Sequence, residues 1–130
     1  MKRIFTIVLF IVIFIALSVG YTQEVINTNQ ATVTWDEVTG ITGVVSYEVF
    51  ARNRITLEEA SLTFVNVPPV VVTTPGEGDW DIGVRTIRQI DGKILYSIMN
   101  WSNVNGVWTS NPFFLRHYIP PEAPKNLRPL

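Results

Sequence analysis

The sequence predicts an all-β fold built as a sandwich of short antiparallel strands, and two observations lead to that prediction. Beyond residue 20, segments that alternate apolar with polar residues recur along the chain, as strands with one buried face do. Turn-forming pairs such as Pro75-Gly76 and Asp91-Gly92 separate those segments, whereas helical patterning is almost absent. Short strands divided by turns and without helices are typical of a β-sandwich.

The first 20 residues are set apart from this pattern by their composition. Met1–Arg3 is basic, Ile4–Val19 is an almost unbroken apolar run, and Ser18–Gly20 offers the small residues that a signal peptidase reads. The run of 16 residues is at or below the roughly 17–25 that span a bilayer, so a cleaved signal peptide is preferred over a retained membrane anchor. Both alternatives predict a secreted or extracytoplasmic domain, attached to a membrane only if residues 1–20 stay on the chain.

The first predicted strand is Ala31–Asp36, in which apolar and polar residues alternate. Every second residue of a strand faces the same side, so this segment has an inward face of Ala31, Val33 and Trp35. The second strand, Val45–Arg52, follows a glycine-bearing connection over residues 38–43. Its inward face is expected to carry Tyr47, Val49 and Ala51.

The outward face of the second strand is expected to carry Glu48, Phe50 and Arg52, of which Phe50 is unusual for a solvated surface. Residues 55–60 contain the only stretch with helix propensity. That stretch is too short to form a stable helix, so a turn is predicted there.

Two more strands, Ser61–Val67 and Val70–Thr74, are predicted on either side of Pro68-Pro69. Proline cannot donate to a strand ladder, so the first of the two either ends at the prolines or lies at a sheet edge. The second is β-branched throughout, which strongly favours a strand.

The clearest strand is Trp80–Arg88, which follows a turn over residues 75–79. Its inward face is expected to carry Trp80, Ile82 and Val84, with Asp81, Gly83 and Arg85 outward. A hairpin at Asp91-Gly92 then predicts that Ile94–Trp101 pairs back, and Phe113–Ile119 completes a set of seven strands.

The predicted organisation is therefore one domain over residues 30–121. It is preceded by residues 1–20 and by an N-terminal segment over residues 21–29. Residues 122–130 form a proline-rich tail or the start of a linker.

These segments, in this order, resemble a fibronectin type III domain. The segment ATVTWDEV resembles the second strand of that family, with Trp35 as the core anchor. VSYEVFAR resembles the third strand, with Tyr47 and Val49 in core positions, and TPGEGDWDIGVRTI resembles the turn and sixth strand. The resemblance implies a seven-stranded antiparallel immunoglobulin-like β-sandwich with a core at Trp35, Tyr47, Val49, Trp80, Ile82 and Val84.

The chain departs from this family at three places. Trp80 stands where the family has tyrosine, so the corner hydrogen bond from a phenol hydroxyl is missing. Residues 21–29 lack the prolines of the usual first strand, and the stretch between Asp91 and Pro112 is longer than the usual loop.

No catalytic, cofactor-binding or metal site is predicted. His117 is the single histidine, no cysteine is present, and no nucleophile motif accompanies the histidine. The acidic residues fall mainly in turns or on outward strand positions, where solvated side chains are the rule. A net charge of −1 also argues against a nucleic-acid partner, which requires a basic surface to neutralise phosphates.

The segment with the strongest signal for binding runs from Tyr96 to Trp108 and carries Tyr96, Met99, Trp101 and Trp108 among several asparagines. Such aromatic side chains either stack on sugar rings or anchor a protein partner, and the alternative is that Trp101 packs back on the sandwich. Trp101-Ser102 resembles half of the Trp-Ser-x-Trp-Ser motif of cytokine-receptor domains, which implies a cation–π contact between Trp101 and Arg85.

The resulting expectation is an exported, non-catalytic binding or spacer module that contacts another protein in adhesion, assembly or surface display. The alternatives are a carbohydrate-binding module and an accessory domain of an extracellular enzyme. The tail PPEAPKNLRPL resembles the opening strand of the same family. Either the chain is a fragment of a longer multi-domain protein, or the tail is free to add a strand to the sheet edge of a partner.

Overall fold

The computed structural model describes residues 23–103 and 111–130, and within these ranges the chain forms nine β-strands and no helix. The segment interpreted as a signal peptide, Met1–Gly20, lies outside the described residues. The strands are β1 (Glu24–Asn27), β2 (Gln30–Val33), β3 (Val44–Asn53), β4 (Glu59–Val65), β5 (Val70–Thr73), β6 (Gly78–Ile90), β7 (Lys93–Tyr96), β8 (Asn100–Trp101) and β9 (Phe113–His117). Helices with the length and apolarity to cross a membrane are absent from these ranges.

The strands form a seven-stranded sheet, called the large sheet below, and a two-stranded small sheet. In the large sheet β4 pairs with β3, β3 with β6, and the other side of β6 pairs with β9, β8 and β7 along its length. The small sheet is the antiparallel pair β2–β5. Every pair is antiparallel except β1, which runs parallel to β9.

Both sheets contribute to one hydrophobic core, an arrangement consistent with a β-sandwich. Val33 and Val72 come from the small sheet, and the large sheet supplies Val49, Ala51, Trp80, Ile82 and Leu115. The inward faces expected for β3 and β6 are therefore the faces that the structure buries. Ala31, Trp35 and Val84 are partly buried and pack against this cluster.

Nine strands are described where the sequence predicts seven, and two local features account for the difference. The alternation pattern does not predict β1, which the parallel ladder to β9 holds in place. The single strand expected over Ile94–Trp101 is divided into β7 and β8.

A β-bulge divides that strand. Tyr96 pairs with Ile87 and Asn100 pairs with Val84, so four steps along the edge oppose three steps along β6. The Ser97 hydroxyl maintains the connection here, because it accepts a hydrogen bond of 2.8 Å from the Thr86 N–H.

The sequence predicts that the corner at Trp80 lacks a side-chain hydrogen bond from a phenol, and the structure has a hydrogen bond from the indole there. A phenol hydroxyl is missing there, but the indole Nε1 of Trp80 donates a hydrogen bond of 3.1 Å to the carbonyl oxygen of Gly76. The ring is buried, and its N–H reaches back four residues to the preceding turn. Tryptophan thus provides at this corner the kind of upstream backbone bond that a tyrosine hydroxyl makes in immunoglobulin-like sandwiches.

Candidate functional site: the outer face of the large sheet

The outer face of the large sheet, the face turned away from the core, carries the three described residues that the sequence predicts for binding. Alternate residues of a strand share a face, so Phe50 of β3 lies opposite the side of core residues Val49 and Ala51. Gly83 pairs with both Phe50 and Trp101, which places Trp101 on this outer face. The same alternation places Tyr96 there.

The Trp101 ring lies against β6 at Gly83, where a larger residue would clash with it. A Cβ atom built on Gly83 would lie 2.6 Å from Trp101 Cε3 and 3.0 Å from Met99 Cγ. The missing side chain of Gly83 therefore creates the space that the indole and the half-buried Met99 use. Of the two alternatives for Trp101, the structure shows the one in which its ring packs back on the sandwich.

The guanidinium above Trp101 belongs to Arg52, whose Cζ lies 4.0 Å from the ring centroid. The prediction that Arg85 contacts Trp101 is therefore wrong, because Arg52 takes that place. Arg85 instead lies 4.1 Å from the Tyr96 ring and 5.2 Å from the Phe50 ring. The physical reason is the bulge before β8, which sets Trp101 opposite Gly83 and beside the β3 side chains.

Two further arginines contact an aromatic ring at the β9 end of the outer face. The Phe114 ring is buried, with the Arg54 guanidinium 4.1 Å and the Arg116 guanidinium 5.4 Å from its centroid. Cation–π contacts of this kind contribute about 0.5–2 kcal/mol each, the larger values applying to desolvated pairs. Contacts between arginines and aromatic rings therefore extend across the outer face from β9 to β7.

Glu48 lies on the outer face as expected, but only 5% of it is exposed to solvent. Arg85 Nε donates a hydrogen bond of 2.8 Å to one carboxylate oxygen, and the Ser61 hydroxyl donates a bond of 2.8 Å to the other. Covered by these partners, the outward carboxylate is buried in an ion pair whose guanidinium stays partly exposed.

Asp79 and Asp81 lie two residues apart in β6, and their pKa values are shifted in opposite directions. Burial raises the pKa of Asp81, against the opposing influence of Arg54 and Arg52, whose nitrogens lie 3.7 and 3.9 Å from its oxygens. The Arg116 side chain donates a hydrogen bond of 2.9 Å to Asp79 and lowers the pKa of that carboxyl. Asp81, expected outward and solvated, is 3% exposed and carries the cost of a buried charge.

Two large aromatic side chains of this face remain open to solvent. Tyr96 is 55% exposed and Phe64 of β4 is 64% exposed. Phe64 pairs with Glu48 and Glu48 pairs with Arg85, so these three side chains lie in line across β4, β3 and β6. Tyr96 pairs with Ile87, two residues along β6, and the Arg85 guanidinium reaches over its ring. Phe64, Glu48, Arg85 and Tyr96 are called the row below. Ile94 and Val44 extend the apolar surface beside this row, with more than half of each side chain exposed.

Phe64 is the member of this face that sequence reasoning missed. The alternation in Ser61–Val67 leaves open whether Phe64 or Val65 points inward. A register shift between Val49 and Phe50 in the ladder to β4 settles the matter, and no feature of the sequence encodes it locally. The only signal in the sequence is the presence of an aromatic residue whose facing the alternation leaves open.

The remaining predicted positions lie mainly in the core. Tyr47, Val49, Trp80 and Ile82 are buried there, and Trp35 and Val84 lie partly buried at its edge. Trp108 lies outside the described residues. His117 pairs with Gly78 at the end of β9, and in the described part of the chain no three His, Cys, Asp or Glu side chains gather in a way that could hold a metal ion.

A cavity of about 760 Å³ lies between the two sheets on the side of β2. Its walls are mainly apolar and hydroxyl side chains from the segment after β2, from the inner faces of β3 and β6, and from the β7–β8 edge. Trp35 lines the cavity and packs edge to face on Tyr47, with ring centroids 5.2 Å apart. The indole Nε1 of Trp35 is buried and has no hydrogen-bond partner among the described residues.

Comparison with known proteins identifies no relative. No family model matches the chain, and neither a curated protein nor a solved structure is significantly similar to it.

Proposed function

We propose that the chain is an exported, non-catalytic module that binds another protein through the outer face of the large sheet. The observation that carries the proposal is the row Phe64, Glu48, Arg85 and Tyr96, in which two aromatic side chains stay 64% and 55% exposed on either side of an ion pair whose carboxylate is buried. Large exposed aromatic side chains grouped on one face mark interaction surfaces more often than chance placement does.

The composition of this row is that of a protein-binding hot spot. Tyrosine and arginine are enriched among residues that dominate binding energy, and aromatic residues are enriched in interface cores. Arg85 is already fixed by Glu48 and lies over the Tyr96 ring, so a partner would meet side chains that have lost most of their rotamer freedom. Binding then costs less conformational entropy.

The strand pairing supports an immunoglobulin-like sandwich of the fibronectin type III kind. If β2, β3, β5, β6 and β9 are taken as strands B, C, E, F and G, then B and E share one sheet and C, F and G share the other, as that architecture requires. One departure is that β1 pairs with β9 and not with β2. Export is proposed from the composition of residues 1–20.

A carbohydrate-binding module is the second candidate, and the geometry favours it less. A sugar stacks on an open aromatic face. Trp101 has the Gly83 backbone region beneath its ring and Arg52 above it, and Tyr96 has Arg85 over its ring. Phe64 offers an open ring, but it lacks the polar handle of tyrosine or tryptophan. Silence of the full chain on a glycan array is the expected result.

The proposal is tested by photo-crosslinking in cells that make the protein. A benzoylphenylalanine placed at Phe64 should capture one defined partner protein, and Tyr96→Ala in the same chain should abolish that capture. The matched control places the crosslinker at Val71, which is 55% exposed on the small sheet. Equal capture of the same protein from both positions would contradict binding through the outer face.

A further inference from the structure

The free edge of β7 is a second surface, separate from the outer face. Within residues 23–103 and 111–130, β7 pairs with β6 on one side and with no strand on the other. Of the nine described strands, β7 alone has every residue exposed. Its consecutive apolar residues Ile94, Leu95 and Tyr96 each have between 47% and 55% of their surface open to solvent. Three consecutive exposed apolar residues are unfavourable on a monomer unless they serve a function.

The hydrogen bonds of the β6–β7 hairpin show which backbone groups of β7 are free. The Ser97 N–H donates a bond of 2.9 Å to a carbonyl oxygen of β6. Bonded pairs alternate with non-bonded pairs in an antiparallel ladder, so Leu95 and Lys93 also turn their backbone N–H and C=O groups toward β6. The N–H and C=O groups of Ile94 and Tyr96 consequently point away from β6, where a further strand can bond to them.

A second copy of β7 matches these free backbone groups. If the two strands run antiparallel with Leu95 opposite Leu95 of the other copy, Ile94 of each copy lies opposite Tyr96 of the other. All four of these residues then point their backbone groups into the new ladder, so the two pairs form four backbone hydrogen bonds. A register shifted by two residues in either direction brings only one pair of these residues together, and a shift by one residue mismatches the free groups.

The side chains of β7 also match across this twofold arrangement. On the outer face, Ile94 and Tyr96 form two aromatic–β-branched pairs of the kind that stabilises adjacent strands. On the other face, the Leu95 side chains of the two copies contact each other. Lys93, the one charged residue of β7, lies opposite Ser97 of the other copy, so like charges do not meet. Because the apolar pattern is symmetric about Leu95, it favours a second copy over an unrelated strand.

We propose that two copies of this chain associate through antiparallel pairing of their β7 strands, centred on Leu95, so that the two large sheets form one continuous sheet. Because the same patch serves on both copies, the contact is closed after two subunits. This register keeps both outer faces on the same side of the joined sheet, so the dimer presents the row twice. The contact goes beyond the proposed function, because it uses a strand edge and a copy of the same chain.

The chain contains no cysteine, so introduced thiols report this contact without background. In the proposed register the two Leu95 residues form a non-hydrogen-bonded pair with Cα atoms about 4.5 Å apart, within disulfide range. The two Ile94 residues are diagonal neighbours at about 7–8 Å, which is too far to bridge without backbone movement. Full chains carrying Leu95→Cys are oxidised in mild detergent beside a matched control, Ile94→Cys, at the same concentration. The Leu95→Cys disulfide dimer should form at least about tenfold faster.

Sedimentation velocity of the full chain in the same detergent gives a second measurement. The wild type should sediment as a dimer and Leu95→Lys as a monomer, because two ammonium groups would lie directly opposite each other at the centre of the ladder. Leu95 is exposed, so this variant should retain the wild-type free energy of unfolding.

The two proposals fail separately. The Leu95 side chain points to the face opposite the row, so Leu95→Lys should leave capture of a partner from Phe64 in place. Equal oxidation rates for Leu95→Cys and Ile94→Cys would overturn the β7 contact. So would a wild-type chain that sediments as a monomer at the concentration used for oxidation.

Discussion

Gly83 is the residue on which the arrangement of the outer face depends most directly. Its missing side chain lets Trp101 and Met99 lie against β6, and Arg52 then closes over the indole. Alternation alone describes Gly83 as an outward strand residue, where glycine is ordinarily unfavourable. Close approach of a ring to the backbone gives the glycine a structural role.

Gly83→Ala should destabilise the fold by about 1–3 kcal/mol, because the added methyl group forces Trp101 to move in a packed site. The matched control is Gly76→Ala, since a Cβ there meets no atom within 4 Å. That control should change the free energy of unfolding by less than about 0.5 kcal/mol. Chemical denaturation of both variants gives the comparison, and equal effects would show that Trp101 does not pack on Gly83.

Asp79 and Asp81 provide a pH-dependent test at the same scale. The pKa of Asp79 is lowered from 3.8 by Arg116, so its stabilising contribution is present above that pKa and is lost as the pH falls through the folded value. The pKa of Asp81 is raised from 3.8 by burial, so its contribution is greatest below that value and is lost as the pH rises through the folded pKa.

The stability of Asp79→Asn and that of Asp81→Asn, each relative to the wild type, should therefore change with pH in opposite directions. Relative to the wild type, Asp79→Asn should lose stability as the pH rises between about 2 and 6, by no more than about 1 kcal/mol because solvent screens this carboxyl. Over the same range Asp81→Asn should gain stability relative to the wild type. Unfolding free energies measured across that pH range decide the matter, and parallel slopes would refute the assigned environments.

The burial of Glu48 and Asp81 marks the limit of what alternation predicts for single residues. The pattern in β3 and β6 correctly places both side chains on the face away from the core. It contains no information about what covers that face, since Arg85 and Ser61 reach Glu48 from other strands. Burial on an outer face arises from contacts distant in sequence, which a local period cannot encode.

At the scale of elements, β1 and the β7–β8 edge are where the structure adds most to the sequence prediction. The strong strands β3 and β6 follow directly from alternation, because each has a buried face. β1 has four residues, and a parallel ladder to β9 holds it in place. The bulge between β7 and β8 depends on how the edge pairs with β6, so a one-strand prediction over Ile94–Trp101 could not anticipate it.

Ile26 tests whether β1 belongs to the fold. Its side chain packs against the core, whereas the neighbouring Val25 is exposed. Ile26→Ala should cost roughly 1–2 kcal/mol, less than a fully buried site loses, and Val25→Ala should cost under about 0.5 kcal/mol. If thermal or chemical unfolding shows the same small effect for both variants, β1 does not contribute a packed strand.

At the scale of the whole molecule, the chain presents two different surfaces, a sheet face and a sheet edge. The outer face is a surface of side chains in which four arginines contact aromatic rings. The β7 edge is a backbone surface flanked by exposed apolar side chains. The first has the composition of a surface that contacts a folded protein, and the second exposes unpaired backbone groups.

The all-β architecture and most of its core were accessible from the sequence, whereas the surface proposed for binding was only partly so. Tyr96, Met99 and Trp101 were predicted together, and the structure brings them to one face. Phe64 was missed because the register of β4 against β3 shifts at Phe50. The Arg52 contact with Trp101 was missed because of a different irregularity, the bulge between β7 and β8 that moves Trp101 by one residue along β6.

The affinity of the captured partner for matched variants tests the central claim most directly. With the partner purified, Tyr96→Ala should weaken binding by about 2 kcal/mol, close to thirtyfold, because it removes one of the two exposed aromatic residues of the row. Val71→Ala on the small sheet should leave the affinity within twofold of the wild type, about 0.4 kcal/mol. Both variants must retain the wild-type free energy of unfolding. Unchanged affinity in Tyr96→Ala, or equal losses in the two variants, would contradict binding through the outer face of the large sheet.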